Sequence, residues 1–369
     1  MAGACAGLMR RATADPHGAV LLPPRATTTS TAGRRVLAAV LVAQALSAAL
    51  LVLILSTTGQ RLSAEFLPLA LLGLGLGGVA GWCRFRMLHW RLGDAALAGA
   101  LFTSGTLLCG LVACLGLRLG LPLADTALLA ADSRLGIDVA AATHAVAARP
   151  WASAALFRAY DLSAMLCVAA VVWHLARGHR QGLWALFGTA MLAMQATAAL
   201  SLLFPARGAA AMLGLETLQG AGLPHGAGTY ALAAFERFYL GGELLVRPDD
   251  LEGIVCFPSF HTVMALLAAQ GFAGTRLRWP ATAWAALTIV STVPMGGHYL
   301  TDILGGMAVW LACALAATRL CADAPAVPPR LAWTAPAAAA KGAVPCPTRP
   351  SPIAAPLPSS RIPTPARPR

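Results

Sequence analysis

Charge is what this chain has least of. Only 11% of its 369 residues are Asp, Glu, Lys or Arg, against 58% hydrophobic, and its mean hydropathy is +0.69. That scarcity excludes an ordinary soluble domain, where about a quarter of residues are charged, and identifies an integral membrane protein. Lysine is almost missing: Lys341 stands alone beside 26 arginines, a skew that a GC-rich genome produces and that points to a bacterial source. CxxC pairs are missing altogether. The nine cysteines (Cys5, Cys83, Cys109, Cys114, Cys167, Cys256, Cys313, Cys321 and Cys346) are scattered, most of them in apolar runs. They read as small hydrophobes and not as ligands or a disulfide framework.

The formal charge of +12 suggests a nucleic-acid partner only until it is located. Residues 1–35 hold five Arg against one Asp, and residues 319–369 hold six Arg and one Lys against one Asp. Both ends are rich in Pro, Ala and Thr and lack apolar periodicity, so 1–33 and 321–369 are expected to be disordered tails. No nucleic acid is expected as a partner.

What is present in quantity is long apolar runs. Those able to cross about 30 Å of hydrocarbon fall near 36–56, 66–83, 95–117, 155–176, 182–203, 259–275, 279–294 and 297–318. The expected fold is therefore all-α, a polytopic bundle of about eight transmembrane helices over 34–320. The first run is too long for a signal-peptide core and reads as an uncleaved anchor. Arginine orients the bundle, because short cytoplasmic loops collect it. Arg34 and Arg35, then Arg84, Arg86 and Arg91, then Arg177 and Arg180, then Arg276 and Arg278, then Arg319 all fall on one side of an eight-span chain. Both termini are then cytoplasmic, in the inner membrane of a bacterium, and the loops 57–65, 118–154, 204–258 and 294–297 face outward. The outward stretch 121–150 has helical apolar spacing but too many charges to span, which predicts an amphipathic helix at the interface, with His144 on its surface.

Two motifs carry chemistry to the outward face. In "CFPSFHT", residues 256–262, Pro258 and Ser259 suit a helix start and His261 falls in the first turn. In "STVPMGGHYLTD", residues 291–302, Ser291 ends one span, Gly296 and Gly297 permit a tight turn, and His298 opens the next. Asp302 follows His298 by four residues and so shares its helix face. A carboxylate there can accept a hydrogen bond from one imidazole nitrogen and leave the other as an oriented nucleophile. Two helix N-termini with free N–H groups would draw a phosphoryl group. His261 is the candidate general acid for the departing alkoxide. The reaction expected is formation of a phosphohistidine, followed by attack of water or an alcohol.

The same residues resemble the type 2 phosphatidic acid phosphatase superfamily. Its signature is a lysine block ending in Arg-Pro, then Pro-Ser-Gly-His, then Ser-Arg with a His seven residues after the Ser and an Asp four later. "PSFH" and "STVPMGGHYLTD" match the second and third blocks. The resemblance implies a six-helix phosphatase-like core, with His298 as nucleophile, Asp302 orienting it and His261 as acid. This chain departs from the pattern at three places. Phe260 replaces the Gly, Thr292 replaces the Arg, and Leu240 stands where the lysine belongs, ahead of Arg247 and Pro248. Arg237 is the substitute cation, its planar fork suited to phosphate. With Arg247, Ser259 and Ser291 it completes the phosphate-binding set. The hydrophobic residue after Ser259 and the absent third-block arginine are similar to the inositol phosphorylceramide synthase branch. That implies a membrane lipid phosphate or phospholipid as substrate and inositol or another alcohol as an alternative acceptor, with no cofactor and no metal. Two rival readings use the same residues: a metal-dependent hydrolase with His261, His298 and Asp302 as a two-His, one-carboxylate set, and a non-enzymatic lipid transporter using the pair as a proton relay.

Overall fold

The computed structural model describes residues 31–86, 89–242, 245–251 and 253–322. The tails expected to be disordered, and with them Lys341, Cys5 and Cys346, lie outside these residues except at their inner edges, where helix begins at Thr31 and runs on to Cys321. Among the described residues thirteen α-helices follow one another: α1 Thr31–Thr58, α2 Leu67–Phe85, α3 Trp90–Gly116, α4 Asp125–Arg134, α5 Val139–Ala147, α6 Pro150–Asp161, α7 Ser163–Arg177, α8 Arg180–Leu203, α9 Ala209–Met212, α10 Leu232–Leu240, α11 Phe260–Phe272, α12 Arg278–Gly296 and α13 Leu300–Cys321. The only sheet described is a parallel pair of two-residue strands, β1 Arg61–Leu62 and β2 Leu245–Val246.

The all-α, membrane-embedded class holds. Length and composition qualify five helices to cross a bilayer, namely those of α1, α2, α3, α8 and α13. A sixth is added if α6 and α7, bent by 46° at their junction, count as one span. The runs at 259–275 and 279–294 are α11, of 13 residues, and α12, of 19. At 1.5 Å per residue α11 covers only about 20 Å, short of the hydrocarbon core. Pro294 sits inside the last turn of α12.

Lipid tails are as apolar as leucine, so helices in a bilayer are held by close packing and by internal hydrogen bonds. Both are present. A Cβ on Gly188 of α8 would collide with the Val36 side chain of α1, and one on Gly271 of α11 with Ala170 of α7. Buried among α1, α3 and α8, Ser47 Oγ donates to Gln195 Oε1 at 2.5 Å, Gln44 Nε2 to the Leu101 carbonyl at 2.7 Å, and Ser104 Oγ to Gln44 Oε1 at 3.2 Å. Where α3 and α8 begin, Arg180 clasps Asp94 at 2.6 and 2.8 Å, and Trp184 Nε1 donates to the same carboxylate at 3.2 Å.

The stretch 121–150 is not one interfacial helix. Gly136, at φ +72°, divides it into α4 and α5, and Asp138 caps α5 by accepting from Ala141 N at 2.8 Å. His144 is exposed as expected. The acids of α4 are not wet: Asp125 and Asp132 are buried. Asp132 accepts from the Leu300 and Thr301 amides at 2.7 and 2.8 Å and from the Thr301 hydroxyl. Asp125 accepts from the Arg207 and Gly208 amides, both at 3.0 Å, and from the Tyr299 hydroxyl at 3.0 Å. A carboxylate is buried cheaply only when its lone pairs are filled, and backbone distant in sequence fills these.

Candidate active site

Three loop segments converge where α13 begins. Ala209 N donates to the Gly297 carbonyl and Gly228 N to the Met295 carbonyl, each at 2.7 Å. Gly297 takes φ +69°, and a Cβ there would run into the Gly228 carbonyl. The glycine turn read from the sequence is thus also a crossing point of backbones. On the other side, Ser259 N donates to the Asp302 carbonyl at 3.0 Å, and Gly306 lets α13 press against the Ser259 carbonyl. The start of α11 is pinned to the first turn of α13.

That pinning sets the histidines. The rings of His261 and His298 have centroids 6.4 Å apart and planes at 61°. His298 and Asp302 are both buried, and His298 Nδ1 lies 3.1 Å from Asp302 Oδ2, so the proton on Nδ1 donates to the carboxylate. Nε2 is left without a protein hydrogen bond among the described residues, and His298 lines a small cavity of about 30 Å³. Asp302 Oδ2 also accepts from Tyr299 N at 2.9 Å and from Cys256 Sγ at 3.0 Å, while Oδ1 is buried without a partner among the described residues. Burial first, and the Asp302 carboxylate second, push the Cys256 thiol well above its ordinary range, so it stays an S–H donor. Burial and Asp125 likewise push the Tyr299 phenol upward.

His261 is half-buried and stacks on Tyr160, centroids 4.0 Å apart at 19°. The Tyr160 hydroxyl bonds the Tyr230 hydroxyl at 2.8 Å. Gly296 allows this crowding, since a Cβ there would meet His298 Cδ2 at 2.8 Å and Tyr160 Cε2 at 3.0 Å.

The other expected site residues are dispersed. Ser259 is buried and caps α11, its hydroxyl accepting from Thr262 N at 3.4 Å. Ser291 is buried too, and its hydroxyl donates to the Thr288 carbonyl at 2.6 Å. Arg237 pairs with Asp250 at 2.8 Å and lines a cavity with Arg118, separate from the one that His298 lines. Arg247 is exposed, its amide donating to Asp250 at 2.7 Å. The α13 N-terminus expected to offer free N–H groups does not: Asp132 takes those of Leu300 and Thr301. Of the three residues of the metal-site reading, only His298 and Asp302 fall in a ligand-sized cluster. Its third member is Cys256, and their donor atoms all lie within 4.8 Å of one another.

The arginine beside His298 is Arg207, in the same cavity wall as His298, Tyr230 and Gly228. Its amide is fixed by Asp125, and among the described residues its guanidinium has a single loose pairing, 3.5 Å from Glu236 Oε1, too poorly aligned to hydrogen-bond. Arg207 lies in "FPARGAA", outside both motifs, and its one sequence signal is a lone arginine just after a span. Tyr160 and Tyr230 carry no sequence signal, and Cys256, inside the first motif, reads as a small hydrophobe where the structure makes it a partner of Asp302.

A family model for the PAP2 superfamily matches residues 126–317, from α4 into α13. No curated protein and no solved structure matches the chain.

Proposed function

The chain belongs to the PAP2 superfamily, and on that premise we propose that it is an integral-membrane lipid phosphatase or phosphotransferase working through a phosphohistidine on His298. The observation that carries this is the histidine pair. An attacking nitrogen stands about 3 Å from phosphorus, and an acid about 3 Å from the oxygen it protonates. Rings 6.4 Å apart take one tetrahedral group between them.

In the first step His298 Nε2 donates its lone pair to phosphorus while the bond from phosphorus to the lipid oxygen breaks. The anionic phosphate brings a proton onto His261 as it binds, the leaving alkoxide takes that proton, and Asp302 stabilises the positive charge growing on His298 through Nδ1–H. In the second step His261, now neutral, removes a proton from water or an alcohol as its oxygen attacks phosphorus and the N–P bond breaks. Arg207 supplies a planar guanidinium for the equatorial oxygens, whose charge peaks in the transition state. Arg237 and Arg247, held at Asp250, would meet the headgroup at the rim, and Ser259 and Ser291 would set the helix ends that carry the site. Phe260 after Ser259, with Thr292 in the third block, favours the branch that transfers to an alcohol such as inositol. The arginine distribution supports an inner-membrane protein with cytoplasmic termini and a site facing the periplasm.

The test incubates purified protein with phosphatidic acid, polyprenyl phosphate, ceramide phosphate and phosphoinositides, with and without inositol, and scores products. A 32P-labelled substrate should leave acid-labile label on the parent protein and none on His298→Ala. Product formation without any trapped label in the parent, or undiminished turnover in His298→Ala, would overturn the reading.

A further inference from the structure

Beside the histidines lies a second and far larger cavity, about 530 Å³ in volume. That is within the range of pockets that enclose a drug-sized ligand, roughly 300–1,000 Å³. Its wall is almost wholly apolar, from Leu72 of α2 and Phe102 and Leu107 of α3 to Met194 of α8 and Phe260 of α11. Thr103 and Thr106 also line it, but their hydroxyls are spent on the Gly99 and Phe102 carbonyls of their own helix, so they add little polarity. The other polar side chains in the lining are Thr197, whose buried hydroxyl has no partner among the described residues, and His261 and Tyr230, which belong to the histidine site. Tyr230, Gly253, Ile254 and Val255 also line the small cavity of His298. The two spaces thus share a wall, and the imidazole pair sits at the junction.

From this continuity we infer that the large cavity holds the hydrocarbon chain of the lipid whose phosphate lies between His261 and His298. The inference rests on the proposed function and adds the determinant of chain selectivity. Half of the chamber comes from α2 and α3, which precede the matched family region that begins at residue 126. The matched region supplies the histidines and the rest of the chamber wall, and two helices ahead of it close the compartment for the tail. Leu72 and Phe102 are about half exposed, at 52% and 51%, so the chamber wall reaches the surface that faces lipid, where a tail can enter sideways. A tail that enters from the bilayer exchanges one apolar surrounding for another, so the chamber holds it by close packing and shape and not by removing methylenes from water.

The experiment has two readouts on the full-length protein in nanodiscs. The first is phosphatidic acid carrying a diazirine midway along one acyl chain, photolysed with His298→Ala so that it binds without turnover. Adducts are expected on Leu107 and Met194 and should be lost when Thr106→Trp fills the chamber in the same background. Adducts confined to residues outside the chamber, such as Leu46 and Leu74, or unchanged by Thr106→Trp, would overturn the chamber. The second is the ratio of kcat/KM for long-chain over short-chain phosphatidic acid, which Thr106→Trp should lower about tenfold. An unchanged ratio also overturns it. If the parent turns over no lipid phosphate, the proposed reaction fails, while the adduct pattern still decides where the tail sits.

Discussion

His261 and His298 face one another across 6.4 Å from the first turn of α11 and the residue pair before α13. Neither ring is placed by its own helix alone. Ser259 N on the Asp302 carbonyl fixes one helix start against the other, so the distance is set by backbone and is insensitive to side-chain repacking nearby.

Under the proposed mechanism, removing His298 and removing the carboxylate that orients it should differ in degree. His298→Ala is expected to lower kcat by about 10⁴-fold or more. Asp302→Asn keeps the shape but cannot accept from Nδ1–H in the same way, and should cost about 10²- to 10⁴-fold in kcat with KM nearly unchanged. Steady-state kinetics on a lipid phosphate separates the two parameters. A large rise in KM with kcat intact would mean that Asp302 binds substrate instead.

Arg207 and Arg237 offer a direct contrast. Loss of a preorganised donor to transition-state charge costs about 10²- to 10³-fold, and that loss is expected for Arg207→Ala, with partial recovery in Arg207→Lys. Arg237 has its side chain 44% exposed against Asp250, and an exposed pair contributes under about 1 kcal/mol. The smaller loss is therefore expected for Arg237→Ala. The reverse ranking would move the phosphate clamp to the Arg237 cavity.

Cys256 should act as a hydrogen-bond donor and not as a reactive thiol. Its S–H points at Asp302 Oδ2, and burial keeps it protonated. Cys256→Ser retains a donor and should stay within a few-fold of the parent, whereas Cys256→Val should lose about two- to tenfold in kcat. Mass spectrometry after maleimide treatment at pH 8 should find Cys256 unmodified in the folded protein. Rapid modification there would contradict the assignment.

Chelation decides between the phosphohistidine and the metal readings. Prolonged EDTA treatment should leave turnover within about twofold, and vanadate, which resembles a five-coordinate phosphorus, should inhibit. Loss of activity that zinc restores would instead assign Cys256, His298 and Asp302 as ligands.

Stability should be most sensitive away from the chemistry. Asp132→Ala strips the acceptor from the Leu300 and Thr301 amides and the Thr301 hydroxyl in a buried place. A cost of about 3 kcal/mol is expected, read as a lower midpoint of thermal unfolding in detergent, with Asp132→Asn retaining part of it.

How far the sequence could be read follows from how local each relationship is. His298 and Asp302 are four residues apart on one helix, and that spacing alone places them in contact. The partnership of His261 with His298 needed a signature shared by two segments, and the spacing within each supplied it. Arg207 is hidden because nothing within its own loop marks it; its position depends on the hydrogen bond that its backbone N–H donates to Asp125, 82 residues earlier. The stretch 121–150 reads as one amphipathic helix, and nothing in it foretells that Asp125 and Asp132 are buried, because that burial depends on amides from residues 207, 208, 300 and 301. The apolar runs located the helices, but hydropathy does not register the 46° bend after Asp161 or the shortness of α11. Both depend on packing against neighbours.

The short helix α4 carries one more implication. Through Asp125 it anchors the loop of Arg207, and through Asp132 it anchors the opening turn of α13. Two parts of the candidate site therefore hang from a ten-residue bracket that itself contributes no residue to the proposed chemistry. A ligand raised against that bracket, levering it away from the bundle, would slacken both attachments together and silence the proposed reaction while leaving the cleft vacant.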